Sequence, residues 1–117
     1  MDMEQLNRIE LRGIVGTVRV QAVGDTHVAK ISLATDYIYK GRNGDPVIET
    51  TWHYITAWEG KNMPDLNTIE RGDKIYAFGR LRSQRYTGSD GVERTSYDVV
   101  ASRLQKIETD EPLQCID

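Results

Sequence analysis

The sequence predicts an all-β protein: a five-stranded Greek-key barrel with one short helix between strands 3 and 4. Three observations favour it. Apolar and polar residues alternate with a period of two along most of the chain, turn residues divide it into five β-rich segments, and one segment near the middle changes to a spacing of three. The 117 residues suffice for about one domain. An SH3-like barrel or another small β-sandwich is the structural alternative.

The five strands are bounded by glycine, proline, asparagine and aspartate, which are typical of turns. Gly13 and Gly16 predict a bulge or tight bend inside the first strand. A loop over 41–46 separates the second strand from the third, and a hairpin loop around Ser89-Asp90-Gly91 separates the fourth from the fifth. The predicted strands are Asn7–Val20, His27–Lys40, Val47–Trp58, Ile75–Tyr86 and Arg94–Ile107.

The segment with the different spacing lies between the third and fourth strands, where Met63, Leu66 and Ile69 recur every three residues. Pro64 suits a first helical turn and Gly72 suits a helix end. We therefore predict one short helix here. Three strands, a short helix and a two-stranded hairpin follow in the order of the OB-fold, a five-stranded Greek-key barrel.

The formal net charge of −3 is unevenly distributed. Residues 1–107 carry all 15 bases and 14 of the 18 acids, a balance of +1. The other four acids follow Ile107, where no base occurs. We predict that the domain spans residues 1–107 and that residues 108–117 form a short, acidic, mobile tail. The acids of this tail are Glu108, Asp110, Glu111 and Asp117.

One segment is strongly basic. Residues 74–86 contain Lys74, Arg80, Arg82 and Arg85 and no acid. A local basic stripe attracts phosphate groups even on a near-neutral protein. A solvated strand face has the same composition, so both interpretations stay open.

Several classes of protein are disfavoured. No apolar run approaches the roughly 20 residues that cross a bilayer, and the first residues lack a signal peptide's basic-then-apolar order. Cys115 is the only cysteine, which excludes an internal disulfide and fits a cytoplasmic protein. His27 and His53 are the only histidines, too few for a metal site. Without a phosphate-binding loop or paired acids, the sequence predicts no enzyme, no metal and no cofactor.

The third strand carries the most informative pattern. Trp52, Tyr54, Thr56 and Trp58 alternate onto one face, while His53, Ile55 and Ala57 share the other. The second set is the smaller one and is predicted to face the core. The first set would then expose two tryptophans and a tyrosine, a surface on which unpaired bases stack. Burial of these rings in the core or between subunits is the alternative.

Several short motifs resemble the bacterial single-stranded DNA-binding protein family over roughly Asn7 to Ile107. Each motif is weak alone, but their order and spacing along a whole domain make the resemblance specific. The motifs are Asn7-Arg8-Ile9, Gly13-Ile14-Val15-Gly16, Ser32-Leu33-Ala34-Thr35, Thr51-Trp52-His53, Arg71-Gly72-Asp73, Gly79-Arg80-Leu81-Arg82, Tyr86-Thr87 and Asp90-Gly91 leading into Tyr97-Asp98-Val99-Val100.

The resemblance implies an OB-fold that binds and protects single-stranded DNA without sequence preference in replication, recombination or repair. It places His53 at a contact between subunits of a homotetramer, with a dimer as the alternative. The strand pattern and the resemblance together assign base stacking to Tyr39, Trp52, Tyr54, Trp58 and Tyr86. Phosphate contacts are assigned to Arg8, Lys40, Lys61, Arg71, Arg80, Arg82 and Arg85.

Two segments depart from the family. Thr17–Val20 continues as strand where the family has an Asp-Pro-Glu stretch, and Glu111–Asp117 lacks the family's Gly/Pro/Gln-rich linker and terminal aromatic. Enzyme recruitment through this tail is therefore not expected. Two other functions fit the same sequence: an OB-fold accessory protein that acts through a helicase or primosome partner, and a structural oligomerisation module whose aromatic face is buried between subunits.

Overall fold

A computed structural model describes residues 3–108, which form a closed five-stranded barrel in the order β1-β2-β3-β5-β4. This architecture confirms the predicted OB-fold. No helix in the described part is long and apolar enough to cross a membrane. The strands are β1 (Ile9–Val23), β2 (Thr26–Lys40), β3 (Pro46–Trp58), β4 (Lys74–Thr87) and β5 (Glu93–Lys106).

The barrel closes where β3 and β5 lie side by side. Residues 55–57 of β3 pair in parallel with residues 99–101 of β5, while the other four strand pairs are antiparallel. Closing the sheet leaves no free edge in the barrel wall. Every strand therefore has one face toward the core and one toward the outside.

Small and branched apolar side chains fill the barrel. They alternate along each strand, as the period of two predicts, and they are almost completely buried. Because burial of a branched side chain stabilises the fold by about 1.5–3 kcal/mol, this set supplies most of the driving force for folding. The largest fully buried side chains are Val15, Ile31, Leu33, Ile55 and Ile75.

A β-bulge at Gly16 lets β1 pair with two strands. β1 pairs with β4 over residues 9–14 and with β2 over residues 14–23, and its register with β2 shifts between Val15 and Thr17. The Val15 backbone instead bonds to the turn before β4: its N–H donates to the Asp73 carbonyl and its carbonyl accepts from the Gly72 N–H, both at 2.9 Å. The predicted bulge is confirmed, and β1 continues beyond it into the hairpin with β2.

The predicted helix is a single 3-10 turn, η1 (Leu66–Thr68). The Asp65 side chain accepts from the Asn67 N–H at 3.1 Å and begins the turn, and the backbone is already extended at Ile69. A spacing of three matches the 3-10 period, so the pattern marked the buried face correctly but not the type or length of the helix. Gly72 does not end it; its φ of 91° belongs to the separate turn before β4. Leu66 and Ile69 plug one end of the barrel.

Two hairpin arms extend from the opposite end. Because β3 and β5 are parallel, their N-terminal parts leave the barrel in the same direction, each paired only with its hairpin partner, β2 or β4. The tips of the arms are the turns at 41–45 and 88–92. Glu108 is exposed, and the rest of the predicted tail, residues 109–117, lies outside the described residues.

Gly79 should be required for the close pairing of β4 with β5. A methyl group there would clash with the Val100 carbonyl and lie 2.9 Å from the Ala101 Cα, both in the backbone of β5. We expect Gly79→Ala to lower the free energy of unfolding by about 1–3 kcal/mol, measured by urea denaturation. Gly60→Ala is the control, because its nearest neighbour is 4.0 Å away. Equal stability of the two variants would contradict this assignment.

Candidate nucleic-acid interface

Three aromatic rings stand on the outer face of β3. Trp52, Tyr54 and Trp58 are 51%, 62% and 42% exposed, whereas Ile55 and Ala57 between them are buried in the core. The predicted orientation of the strand is therefore confirmed. β2 pairs with β3 along its whole length, whereas β5 pairs with it only at residues 55–57. The rings therefore share one face of the sheet, with Trp58 beside the barrel closure and Trp52 and Tyr54 on the arm side of it.

Thr56 lies in the same column but is only 2% exposed. Polar neighbours from adjacent strands cover it. Its hydroxyl accepts a hydrogen bond from Lys30 Nζ at 3.1 Å and donates one to Asp98 Oδ2 at 2.6 Å. Thr56 thus links cross-strand partners between Tyr54 and Trp58.

Asp98 also forms a two-point ion pair with Arg82. Arg82 Nε donates to Oδ1 at 3.0 Å and Nη2 to Oδ2 at 2.7 Å. These hydrogen bonds hold the pKa of Asp98 below its ordinary value and raise that of Arg82. The guanidinium is mostly covered, and its charge is compensated within the wall.

The polar row continues across β2 to β1. Lys30 is directly opposite both Thr56 on β3 and Arg19 on β1. The row therefore crosses all five strands with three cations and one carboxylate. Among residues 3–108, neither Arg19 nor Lys30 forms an ion pair with a carboxylate, although the charge of Lys30 contributes to the lowered pKa of Asp98. We call Arg19, Lys30, Thr56, Asp98 and Arg82 the polar row.

Sequence reasoning missed Arg19 and Lys30. Lys30 alternates with the buried residues Ala29 and Ile31, a signal that marks it as outward-facing. Its place beside the aromatic column, however, depends on the register between β2 and β3, which alternation within one strand does not give.

Apart from Arg82, the predicted phosphate contacts occupy four regions of the surface. Arg80 is exposed on the outer face of β4, and Arg8 precedes β1 at the same level, where Asn7 bonds to the Leu81 backbone through both side-chain polar atoms. Lys40 is at the tip of the β2–β3 arm, whereas Lys61 and Arg71 are exposed in the segment that holds η1. Arg85 pairs with Glu93 at 2.8 Å on the β4–β5 arm.

The remaining predicted residues do not all share one face. Tyr86 is half-exposed on the outer face of β4. Tyr39 lies on the opposite face of its arm from Trp52, beside Tyr37, with ring centroids 6.1 Å apart. His53 faces inward and is half-buried, its Nε2 is 2.8 Å from the Thr35 hydroxyl, and burial lowers its pKa.

The interface has no grouping of reactive side chains. Within residues 3–108, no three His, Cys, Asp or Glu side chains are placed to hold a metal ion. The shifted pKa values of the wall follow from the ion pair of Asp98 and Arg82, which is fully hydrogen-bonded. This arrangement suits binding of an extended, charged ligand that has flat groups.

Comparison with known proteins identifies similar chains. The model of the Single-strand binding protein family matches residues 6–107. A single-stranded DNA-binding protein of Neisseria meningitidis is 35% identical over 105 residues, which cover 87% of this chain and 60% of that protein. One from Xanthomonas axonopodis pv. citri is 34% identical over 80 residues, which cover 68% of this chain and 44% of that protein. The chain thus spans 60% or less of the length of these two relatives.

A solved structure shares the fold. The Plasmodium falciparum SSB in complex with ssDNA matches with a TM-score of 0.74 and 24% sequence identity, over 92% of this chain and 100% of that chain. At this identity the likeness supports the barrel architecture, and the assignment of individual residues rests on the geometry above.

Acid should lower the free energy of unfolding by protonating Asp98. Its pKa is lowered in the folded state, so its stabilisation is fully present above the unfolded value of 3.8 and is lost as the pH falls through the folded value. We expect Asp98→Asn to reduce the free energy of unfolding at neutral pH by about 1–3 kcal/mol. The variant should also lose less stability than the parent as the pH falls from neutral to below 3.8, measured by urea unfolding at each pH. Asp25→Asn, in the β1–β2 turn, is the control; identical acid profiles for the parent and Asp98→Asn would exclude this role.

Proposed function

The chain belongs to the single-strand binding protein family, and on that premise we propose that it binds single-stranded DNA without sequence preference. One observation carries the proposal: three half-exposed aromatic rings stand in a column on the outer face of β3, beside two cations that form no ion pair. The wall has a surface for flat bases and charges for a phosphate backbone.

Stacking is the first contribution. A ring with one face open to solvent accepts the face of any base, and each such contact contributes about 1–3 kcal/mol. In a duplex both faces of each base are covered by neighbouring bases. The column of Trp52, Tyr54 and Trp58 would therefore select unpaired strands, with little preference for base identity.

Phosphate binding is the second contribution. Lysine and arginine that neutralise phosphates release counterions, which makes affinity independent of sequence and dependent on salt. Arg19 and Lys30 are the strongest candidates in the polar row, because Asp98 already compensates Arg82. Arg8 and Arg80 would extend the basic surface along β4.

The proposal includes assembly and biological role. We infer a homo-oligomer, a tetramer or at least a dimer, in which one strand contacts several barrels. Protection of single-stranded DNA in replication, recombination or repair, and a place in the cytoplasm, belong to the same proposal. Binding of this kind requires no catalysis and no cofactor.

Removing either tryptophan should weaken binding without unfolding the barrel. We expect Trp52→Ala and Trp58→Ala each to reduce the affinity for poly(dT) by about 1–3 kcal/mol, because one base then has no ring to stack on. The measurement is a fluorescence titration, in which the remaining tryptophan reports binding, together with a thermal unfolding curve. Tyr97→Ala is the matched control, since this ring is 60% exposed on the opposite face of its arm.

Two outcomes would contradict the stacking proposal. Loss of the folding transition in either tryptophan variant would show that the ring is needed by the barrel itself. An intact parent protein whose emission is unchanged by poly(dT) would exclude direct binding and favour an accessory protein or an oligomerisation module.

The cations of the polar row should control the salt dependence. We expect Arg19→Ala with Lys30→Ala to lower affinity equally for different base compositions. The slope of log affinity against log salt should become shallower by about 0.7 for each phosphate that the variant no longer neutralises. Arg12→Ala is the control, because Arg12 lies over the Tyr76 ring on the β1–β4 wall. An unchanged slope in the double variant would show that these cations do not contact phosphate.

A further inference from the structure

The Trp52 side chain reaches across two strands. Trp52 is on β3, directly opposite Ala34 on β2, and Ala34 is in turn opposite Ile14 on β1. The outer edge of the indole ends over Gly16, at the bulge of β1. A methyl group at Gly16 would lie 2.5 Å from Cζ3 of the indole and 2.8 Å from Cη2. Because Gly16 has no side chain, the outer edge of the indole occupies the space that a side chain would fill.

Two further small residues of β2 lie beside Gly16 and Trp52: Ala34 is the cross-strand partner of Trp52, and Ser32 is next to Gly16. Ala34 faces the ring from β2, and the Ser32 Oγ lies 2.9 Å from the position of a Gly16 methyl group. Ser32 is fixed by the bulge, since its Oγ accepts from the Thr17 N–H at 2.8 Å and lies 2.9 Å from the Thr17 hydroxyl. We call Gly16, Ser32 and Ala34 the indole floor.

We propose that Gly16 is a positioning residue for base stacking, which fixes the Trp52 ring on the indole floor with its other side open to solvent. The inference rests on the proposed function for the role of the ring, but the contact between the ring and the indole floor exists without any ligand. A ring held in one orientation loses less conformational entropy when a base stacks on it, and this raises affinity. The bulge in β1 and the ring on β3 thus belong to one site.

The clash at Gly16 differs from the clash at Gly79. At Gly79 the obstacle is the backbone of β5, which cannot move without opening the barrel. At Gly16 the closest obstacle is the far edge of a half-exposed side chain, which rotates away. We therefore expect Gly16→Ala to keep the fold and displace the indole.

The first experiment needs no DNA. In a Trp58→Phe background Trp52 is the only tryptophan, since the chain contains two. Gly16→Ala should shift its emission to longer wavelength and increase its quenching by acrylamide. Gly60→Ala is the control glycine. Unchanged emission and quenching in Gly16→Ala would show that Gly16 does not position the Trp52 ring, whether or not the protein binds DNA.

The second experiment measures affinity for poly(dT) in a double-mutant cycle. Gly16→Ala should weaken binding roughly three- to tenfold, part of the effect of deleting the ring. Phenylalanine lacks the outer indole atoms that contact Gly16, so the same change in a Trp52→Phe background should leave affinity unchanged. Equal reductions in both backgrounds would overturn the positioning role.

A second variant tests the positioning of the Trp52 ring without a substitution in the bulge of β1. Ala34→Val raises the middle of the indole floor without altering β1, and it should reproduce the emission shift and the weaker binding. If Gly16→Ala prevents folding and Ala34→Val changes neither property, the positioning role is wrong. If the parent protein does not bind poly(dT) while Gly16→Ala still shifts the emission, the proposed function is wrong, but Gly16 still holds the indole in place.

Discussion

Closure of the barrel between β3 and β5 is the constraint from which the rest of the structure follows. The two strands meet over only three residues each, 55–57 and 99–101, and small side chains at Ala57 and Ala101 let them approach. This contact joins two hairpins and β1 into one continuous wall. Thr56 and Asp98 belong to different hairpins and become neighbours only through this contact, which lets the polar row cross all five strands.

The wall combines two kinds of recognition without placing them in competition. The rings of β3 project outward along the strand, while the polar row runs across the strands between Tyr54 and Trp58. The buried Thr56 hydroxyl is where the two directions cross. Asp98 forms its ion pair with Arg82 on β4, so the two cations of the row that form no ion pair lie on β1 and β2, on one side of the column. A bound strand would therefore meet an asymmetric surface, with bases over β3 and phosphates toward β2.

Alternation along single strands was sufficient to predict the fold class, the five strands within a few residues and the outward face of β3. It was not sufficient where the answer depended on a neighbouring strand. The acid-free segment 74–86 predicts either a phosphate-binding stripe or a solvated strand face, yet the antiparallel register places Asp98 opposite Arg82, and Glu93 pairs with Arg85. Thr56 was placed on the correct face, but its burial comes from Lys30 and Asp98. Tyr39 was assigned with Trp52 through a family pattern, and register separates their faces.

The two arms that leave the same end of the barrel have a consequence for how such a protein changes in evolution. Their tips, at 41–45 and 88–92, touch neither the core nor the closure between β3 and β5. Residues can be added or removed there with little effect on stability, as is general for exposed loop tips. Under the proposed function, a change in arm length would change the length of DNA that one barrel covers without changing barrel stability. A lineage could alter its footprint on a ligand while leaving the packed interior untouched.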